Sequence, residues 1–198
     1  MKTKLLLLVL SGLLLAFTSG DRKSVPATVE LVDGVPFYVY SLPTAEYEIV
    51  GKALTMGGII KVMVNEQASI REKASEFVKN AKARVEKGKI PEFDAMIVDL
   101  EKEKTHAIKY KAEASREAKV KFYEGIPVYF FSKPNAEYEV VTELEADYSL
   151  RAKGGMLLDK IESMLNRTLK KEKDGEVGHF DAVIINPDDL SEQLIKFK

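Results

Sequence analysis

Residues 34–50 read GVPFYVYSLPTAEYEIV, and residues 125–141, which lie 91 positions later, read GIPVYFFSKPNAEYEVV. Ten of the seventeen aligned positions are identical, and most of the others exchange one apolar residue for another. Self-similarity at a fixed offset indicates a repeated structural unit. The sequence therefore predicts a tandem duplication, with repeat 1 at residues 27–110, a join at residues 111–117 and repeat 2 at residues 118–197.

Each copy begins with a predicted β-hairpin. Asp33-Gly34 and Glu124-Gly125 lie between runs of β-branched and aromatic residues. A two-residue type I′ turn, whose central residues both need positive φ, is typical of Asp-Gly in this position. This turn places Leu31 opposite Pro36, so that the missing N–H of Pro36 points away from the hairpin partner.

A connection and a third strand follow the hairpin in each copy. Ser41–Thr44 and Ser132–Asn135 contain a proline, and proline and its preceding residue resist helical backbone. We expect both segments to form turns. The next residues, Glu46–Val50 and Glu137–Val141, alternate in polarity, as a strand does when successive side chains point to opposite faces.

One amphipathic helix is predicted in each copy. The first is expected to begin near Asn65 or Ser69 and to end at Gly88, and the second to begin after Gly154-Gly155 and to end by Gly175. Their inner faces recur at three- and four-residue steps and align at an offset of 87: Ile70, Ala74, Phe77, Val78, Ala81 and Val85 in the first, and Leu157, Ile161, Met164, Leu165, Thr168 and Glu172 in the second. With two further strands after each helix, each copy reads strand-strand-strand-helix-strand-strand.

This order implies an α+β fold, with the helix of each copy packed on an antiparallel or mixed sheet. A five-stranded sheet is about 24 Å wide at about 4.8 Å per strand, whereas one helix is about 10 to 12 Å across. Phe37–Tyr40 and Val128–Phe131 are apolar at every position, which is typical of strands buried on both faces. We therefore expect the second copy to supply the missing cover in a pseudo-twofold unit. The alternative is that the aromatic surface binds another molecule.

The first twenty residues have the features of a secretory signal peptide. Lys2 and Lys4 precede the run Leu5–Phe17, and the small residues Thr18–Gly20 follow it. Thirteen helical residues reach only about 20 Å, which is short of the roughly 30 Å hydrocarbon core of a membrane. We expect the signal to be removed, no transmembrane segment to remain, and the bacterial protein to be periplasmic or secreted.

The composition excludes several classes of protein. The chain has no cysteine, so its stability cannot depend on disulfides and no thiolate site exists. Thirty basic and 31 acidic residues give a formal net charge of −1, without a basic stripe that would bind nucleic acid. No nucleotide-binding loop, zinc-protease helix or nucleophile elbow occurs. We predict no cofactor and no nucleic-acid partner.

Two segments of each copy resemble a known family. Tyr47–Gly51 before the first helix and Asp94–Val98 after it resemble the small bacterial heavy-metal-binding α+β domains, and Tyr138–Val141 and Asp181–Ile185 repeat the pattern. Thr142 stands where that family has a glycine. The resemblance implies compact α+β units that assemble into rings, and it implies a role in metal binding.

Six residues at matching positions are candidates for ligand binding: Asp94, Asp181, Tyr47, Tyr138, Glu48 and Glu139. The aspartates can bind a ligand or cap backbone N–H groups where a strand begins. The glutamates can coordinate a hard cation or form a solvated face, and the tyrosines can stack on a ligand or pack in a core. His179 and Asp181, two positions apart on one strand, are weak candidates for metal binding, and no complete metal site is predicted.

No set of residues specifies a reaction, so we assign no catalytic residue. The sequence favours a non-enzymatic binding or assembly module, acting with an unidentified protein partner or as a homo-oligomer. A binder of a divalent metal or small ligand is the alternative. A hydrolase that uses a pair of carboxylates is the third interpretation.

Overall fold

The protein is described from a computed structural model, which covers residues 25–55, 69–102, 104–146 and 157–198, with residues 52–55 described by their backbone alone. The helices of these segments are α1 (Ile70–Glu86) and α2 (Leu157–Lys173). The strands are β1 (Ala27–Val29), β2 (Leu31–Val32), β3 (Val35–Val39), β4 (Ser41–Pro43), β5 (Tyr47–Thr55), β6 (Ala95–Asp99), β7 (Lys104–Tyr110), β8 (Glu117–Val120), β9 (Phe122–Tyr123), β10 (Ile126–Phe130), β11 (Ser132–Pro134), β12 (Tyr138–Leu144), β13 (Ala182–Ile185) and β14 (Glu192–Phe197). The fold is α+β, as the sequence predicts. The predicted signal peptide and the glycine pairs at residues 57–58 and 154–155 lie outside the described residues.

Two of the three sheets that the described residues form have the same internal order. The first runs β2-β3-β6-β7-β5 and the second β9-β10-β13-β14-β12. In each sheet one central pair is parallel, β3 with β6 and β10 with β13, and the other pairs are antiparallel. Both sheets are therefore mixed. Within the described part of the chain, no helix combines the length and apolarity that crossing a membrane requires.

The two hairpin turns have the predicted backbone. Asp33 and Gly34 have φ of 47° and 79°, and Glu124 and Gly125 have φ of 46° and 79°. Leu31 lies opposite Pro36, as the type I′ turn requires. The turn prediction is confirmed in both halves of the chain.

The chain after each hairpin differs from the prediction. β3 and β10 end because Tyr40 and Phe131 adopt left-handed backbone, with φ of 55° and 52°. The segments expected to be turns instead form the short strands β4 and β11, so that prediction is wrong. Both strands lie at the edges of the third sheet, where proline is tolerated because one side of the strand needs no N–H donor.

The third sheet alternates strands from the two halves of the chain. Its order is β11-β1-β8-β4. Ala27 of β1 pairs with Ala118 of β8 at the centre, and β11 and β4 pair on the outer sides. No two neighbouring strands of this sheet come from the same half. Neither half of the chain can therefore form the sheet by itself.

Strands β3 and β10 are covered on both faces, which confirms the expectation from their composition. Tyr38 and Tyr129, both 0% exposed, pack in one hydrophobic cluster with the central sheet. Phe37 and Phe130 point to the opposite faces and pack in a second cluster that contains both helices. The two mixed sheets thus lie between the third sheet and the helices.

Local signals fix the ends of the helices. Ser69 Oγ accepts a hydrogen bond from the Glu72 N–H at 3.1 Å, and Glu72 Oε2 accepts one from the Ser69 N–H at 2.8 Å, which forms a capping box. Gly88 and Gly175 follow α1 and α2 with φ of 64° and 74°, a common way to end a helix. Of the two predicted starts for α1, Ser69 is the one that the structure uses.

Candidate functional site

Asp94 and Asp181 accept hydrogen bonds from backbone N–H groups at the ends of the neighbouring strands β7 and β14. Asp94 Oδ2 accepts a hydrogen bond from the Tyr110 N–H, and Asp181 Oδ2 accepts one from the Phe197 N–H, both at 2.9 Å. Each carboxylate therefore ties the start of one strand to the end of its neighbour. Of the two interpretations of these residues, backbone capping is the contact that the structure shows, and ligand binding stays a prediction.

The other four candidate residues lie on the edge strands β5 and β12. Tyr47 and Tyr138 are partly buried against the cluster that contains the central sheet, and each faces an aromatic residue of the neighbouring strand. Glu48 and Glu139 are exposed, and each lies opposite a lysine. None of these residues lines either of the two smaller cavities described below.

His179 lies against the end of α2. Its Nδ1 is 2.7 Å from Glu172 Oε1, and its side chain is exposed. Among the residues that the structure describes, no three His, Asp or Glu side chains converge so as to hold a metal ion. His179 and Asp181 are thus not joined by a third ligand in the described segments.

A cavity of about 240 Å³, here called the junction cavity, lies where the two halves of the chain meet. Arg71 of α1 reaches it from the first half, and β11, β13 and β14 bound it from the second. Its polar lining residues are Glu30, Arg71, Ser132, Lys133, Asn186 and Gln193. The cavity therefore depends on the association of both halves.

Arg71 is held in place from several directions. Its Nη2 donates to Glu30 Oε2 at 2.7 Å, and its Nε lies 3.0 Å from both carboxylate oxygens of Asp188. The guanidinium also lies 5.6 Å from the centroid of the Phe131 ring. Burial alone would lower the pKa of Arg71, but hydrogen bonds to Glu30 and Asp188 outweigh it and raise the pKa. Arg71 is a permanent and positioned cation.

Ser132 lines the same cavity and carries an unpaired hydroxyl. The residue is 2% exposed, and its Oγ has no hydrogen-bond partner in the structure. Leaving a buried hydroxyl without a partner costs about 1–3 kcal/mol. An acceptor or donor that entered the cavity would recover this cost.

A more open hollow of about 540 Å³ adjoins the junction cavity and shares Glu30, Arg71 and Lys133 with it. Arg116 also lines the hollow, and its Nε and Nη2 donate to the Val29 carbonyl at 3.1 and 2.8 Å. Three cationic residues thus lie beside two carboxylates, Glu30 and Asp188, which both pair with Arg71, so one positive charge remains in excess. We call the cavity and the hollow together the junction groove, and its charge favours an anion.

The corresponding positions on the other side of the molecule have different chemistry. Leu158, Leu42 and Val25 stand where the groove has Arg71, Lys133 and Arg116. Lys121 corresponds to Glu30, and it pairs with Glu101 at 2.7 Å. Ser41 corresponds to Ser132 and is likewise buried with an unpaired Oγ. The cation cluster is therefore specific to one side, whereas the buried serine is common to both.

Two lysines on the helices are buried outside the groove. Lys73 of α1 and Lys160 of α2, which align at the offset of 87, are each 4% exposed. Lys160 Nζ has no hydrogen-bond partner. Burial lowers the pKa of both lysines, and the charge of Lys73 lowers the pKa of Lys160 further. Burial therefore destabilises the charged form of each lysine in the folded protein, and repulsion from Lys73 adds to this cost at Lys160.

Sequence analysis did not identify the junction groove. A charged residue such as Arg71 on an amphipathic helix is ordinarily a solvated one, and the cavity depends on packing between distant segments. The sequence contains one indication of the groove, which is a difference between the two aligned halves. Arg71 aligns with Leu158, and Lys133 aligns with Leu42. A cation in one half that aligns with an apolar residue in the other indicates a function that is specific to the first half.

Comparison with protein-family models, with curated proteins and with solved structures finds no match to this chain. The resemblance to heavy-metal-binding domains therefore stays a prediction from the sequence.

Proposed function

We propose that this protein is an exported, non-enzymatic binding module, built by tandem duplication about a pseudo-twofold axis, and that the junction groove binds a small anionic molecule. The observation that carries the proposal is the buried, unpaired Ser132 hydroxyl in the cavity that Arg71 lines. The features of residues 1–20 support export. The matching orders of the two mixed sheets support the duplication.

The lining of the groove favours an anion with a small apolar body. An anionic oxygen in the junction cavity can accept a hydrogen bond from Ser132 while Arg71 meets its charge. Lys133 and Arg116 at the open hollow attract such a ligand over a longer distance. Ile184 and Ile185 supply apolar contact beside these polar groups. A small carboxylate or phosphate compound combines these properties.

The chemistry of Ser132 supports binding rather than catalysis. A nucleophilic serine needs a hydrogen-bonded base that removes its proton. Ser132 Oγ has no hydrogen-bond partner, and the nearby carboxylate of Glu30 is occupied by Arg71. The hydroxyl is therefore suited to contact a ligand and is not activated to attack one.

Ser132→Ala tests the groove, and Ser41→Ala is a matched control because both serines are equally buried and unpaired. Phosphate, acetate and glucuronate are titrated into the protein at pH 7 and low ionic strength, with isothermal titration calorimetry as the measurement. We expect saturable binding of at least one anion. Ser132→Ala should weaken it about three- to tenfold, which corresponds to one hydrogen bond of roughly 0.5–1.5 kcal/mol. Ser41→Ala should leave the Kd unchanged.

Lys133→Gln tests the charge at the mouth, with the exposed Lys119→Gln as control. The first change should weaken anion binding and reduce its dependence on salt, because screening acts on exposed charges. The proposal is wrong if no anion of the panel binds, or if both serine variants lose the same affinity.

A further inference from the structure

A second cavity, of about 200 Å³, shares no lining residue with the junction groove. It lies between the end of β12, the C-terminal half of α2 and the start of β14. Its charged and hydroxyl-bearing lining residues are Glu145, Arg167, Thr168, Lys171 and Glu192. We call it the helix-end cavity.

Glu192 is the buried polar group of the helix-end cavity. The residue is 6% exposed, and its Oε2 accepts a hydrogen bond from Thr168 Oγ1 at 2.9 Å. Its other oxygen, Oε1, has no hydrogen-bond partner. Burial raises the pKa of Glu192, and the Thr168 hydrogen bond and the charges of Arg167 and Lys171 offset only part of this rise. A donor placed on Oε1 would remove the cost of the unpaired oxygen.

The fold does not demand this carboxyl group. At the offset of 87, Thr105 stands in place of Glu192 and Ala81 in place of Thr168. Thr105 is also fully buried, with its Oγ1 likewise unpaired, so an uncharged residue occupies the same strand position in the other half. The strand position itself therefore does not require the buried glutamate of the second half.

The charges of the cavity are balanced. Arg167 and Lys171 lie one turn apart on α2 and so share one side of the helix. Glu192 is buried on β14, and Glu145 is exposed after β12. Two cationic and two acidic residues thus line one small space, with the unpaired oxygen at the buried carboxylate. This pattern suits a ligand that has no net charge but carries both signs.

We propose that the helix-end cavity binds a small zwitterion of the amino-acid type. Its ammonium group would donate to Glu192 Oε1, and its carboxylate would meet Arg167 and Lys171. A volume of about 200 Å³ corresponds to about seven water molecules at roughly 30 Å³ each, which is room for the charged groups of a small amino acid. A ligand with only an ammonium group makes no contact with Arg167 and Lys171, and one with only a carboxylate leaves Glu192 Oε1 unpaired.

The test titrates the purified protein with glycine, alanine and β-alanine at pH 7, with methylamine and acetate as probes of a single charge. Isothermal titration calorimetry gives the Kd, and thermal melting gives an independent readout. At least one zwitterion should bind saturably and raise the Tm, and methylamine should bind at least tenfold more weakly. Any acetate binding should be unchanged in Glu192→Gln, because acetate alone does not use the buried carboxyl group. Glu192→Gln, which keeps the size of the side chain, should weaken zwitterion binding at least tenfold. Ser132→Ala should leave it unchanged.

Lys171→Met provides a second variant that does not touch the buried carboxyl group, in case Glu192→Gln does not fold. It should weaken zwitterion binding several-fold while leaving methylamine binding unchanged. Absence of saturable binding by all three zwitterions overturns the proposal. So does methylamine binding as tightly as glycine, or unchanged binding in a folded Glu192→Gln variant. Because the two sites share no lining residue, failure here leaves the anion test at the junction groove unaffected.

Discussion

The junction groove and the surface at its counterpart positions are built on the same backbone, but they carry different side chains. In both, an aromatic residue with left-handed backbone, Phe131 or Tyr40, precedes a buried serine. A cation lies near each ring: Arg71 is 5.6 Å from the Phe131 centroid, and Lys121 is 6.0 Å from the Tyr40 centroid. The shared features belong to the architecture. The cation cluster belongs to one side, so that is where we expect an anion to bind.

Separating the two halves should have the largest effect on this comparison. A fragment of residues 118–198 lacks β1 and β4, which leaves β8 and β11 without their partners in the interleaved sheet. We expect the fragment to show no cooperative melting by circular dichroism, whereas the whole chain melts cooperatively. A soluble, monomeric fragment with a sharp transition would show that each half is stable without the other.

Phe131→Ala and Tyr40→Ala compare the two sides directly. Phe131 is 1% exposed, and its ring lies 5.4 Å from Phe37 and 5.1 Å from Phe130. Removing this ring should lower the free energy of unfolding by about 3–5 kcal/mol. Tyr40, which is 8% exposed, should cost less when truncated. Urea denaturation gives the free energy of unfolding of both variants. Equal losses would contradict the expectation that Phe131 contributes more to stability than Tyr40.

Lys160→Met should have a smaller effect and the opposite sign. The change replaces a buried, unpaired ammonium with an apolar side chain, so we expect the free energy of unfolding at pH 7 to rise by about 1–3 kcal/mol. The exposed Lys79→Met serves as control and should change little. A loss of stability in Lys160→Met would mean that the ammonium has a favourable partner.

The pH dependence sharpens this last prediction. Because burial lowers the pKa of Lys160 in the folded state, the unfolded chain binds the proton more tightly between that lowered pKa and the usual 10.5. The contribution of Lys160 to the free energy of unfolding of the unmodified protein should therefore rise with pH across this interval. The advantage of Lys160→Met should shrink over the same interval. Urea denaturation of both proteins at several pH values measures the difference.

The sequence predicts the elements of this fold whose signals are local. Asp33-Gly34 determines a turn by its own φ requirements, and the Ser69 to Glu72 pair starts a helix through hydrogen bonds within one turn. Strands β4 and β11 were missed for the opposite reason. Their prolines favour a turn locally, whereas their pairing partners, β8 and β1, lie more than seventy residues away.

The candidate sites divide in the same way. The capping alternative for Asp94 could be predicted because the carboxylate acts on backbone of its own sheet. The groove around Arg71 could not, since residues 30, 71, 132 and 188 come together only through packing. The burial of Glu192 is also invisible in the sequence, because an acidic residue that starts a strand is ordinarily solvated.

The alternation of strands in the third sheet has a consequence for biosynthesis. β1 is made near the beginning of the chain, but its partner β11 leaves the ribosome about a hundred residues later. At roughly 5–20 residues per second, the early strands wait on the order of 5–20 s with unpaired edges. An edge that stays unpaired can pair with the equivalent strand of a second chain, so exchange of strands between two molecules is the characteristic assembly error of this sheet.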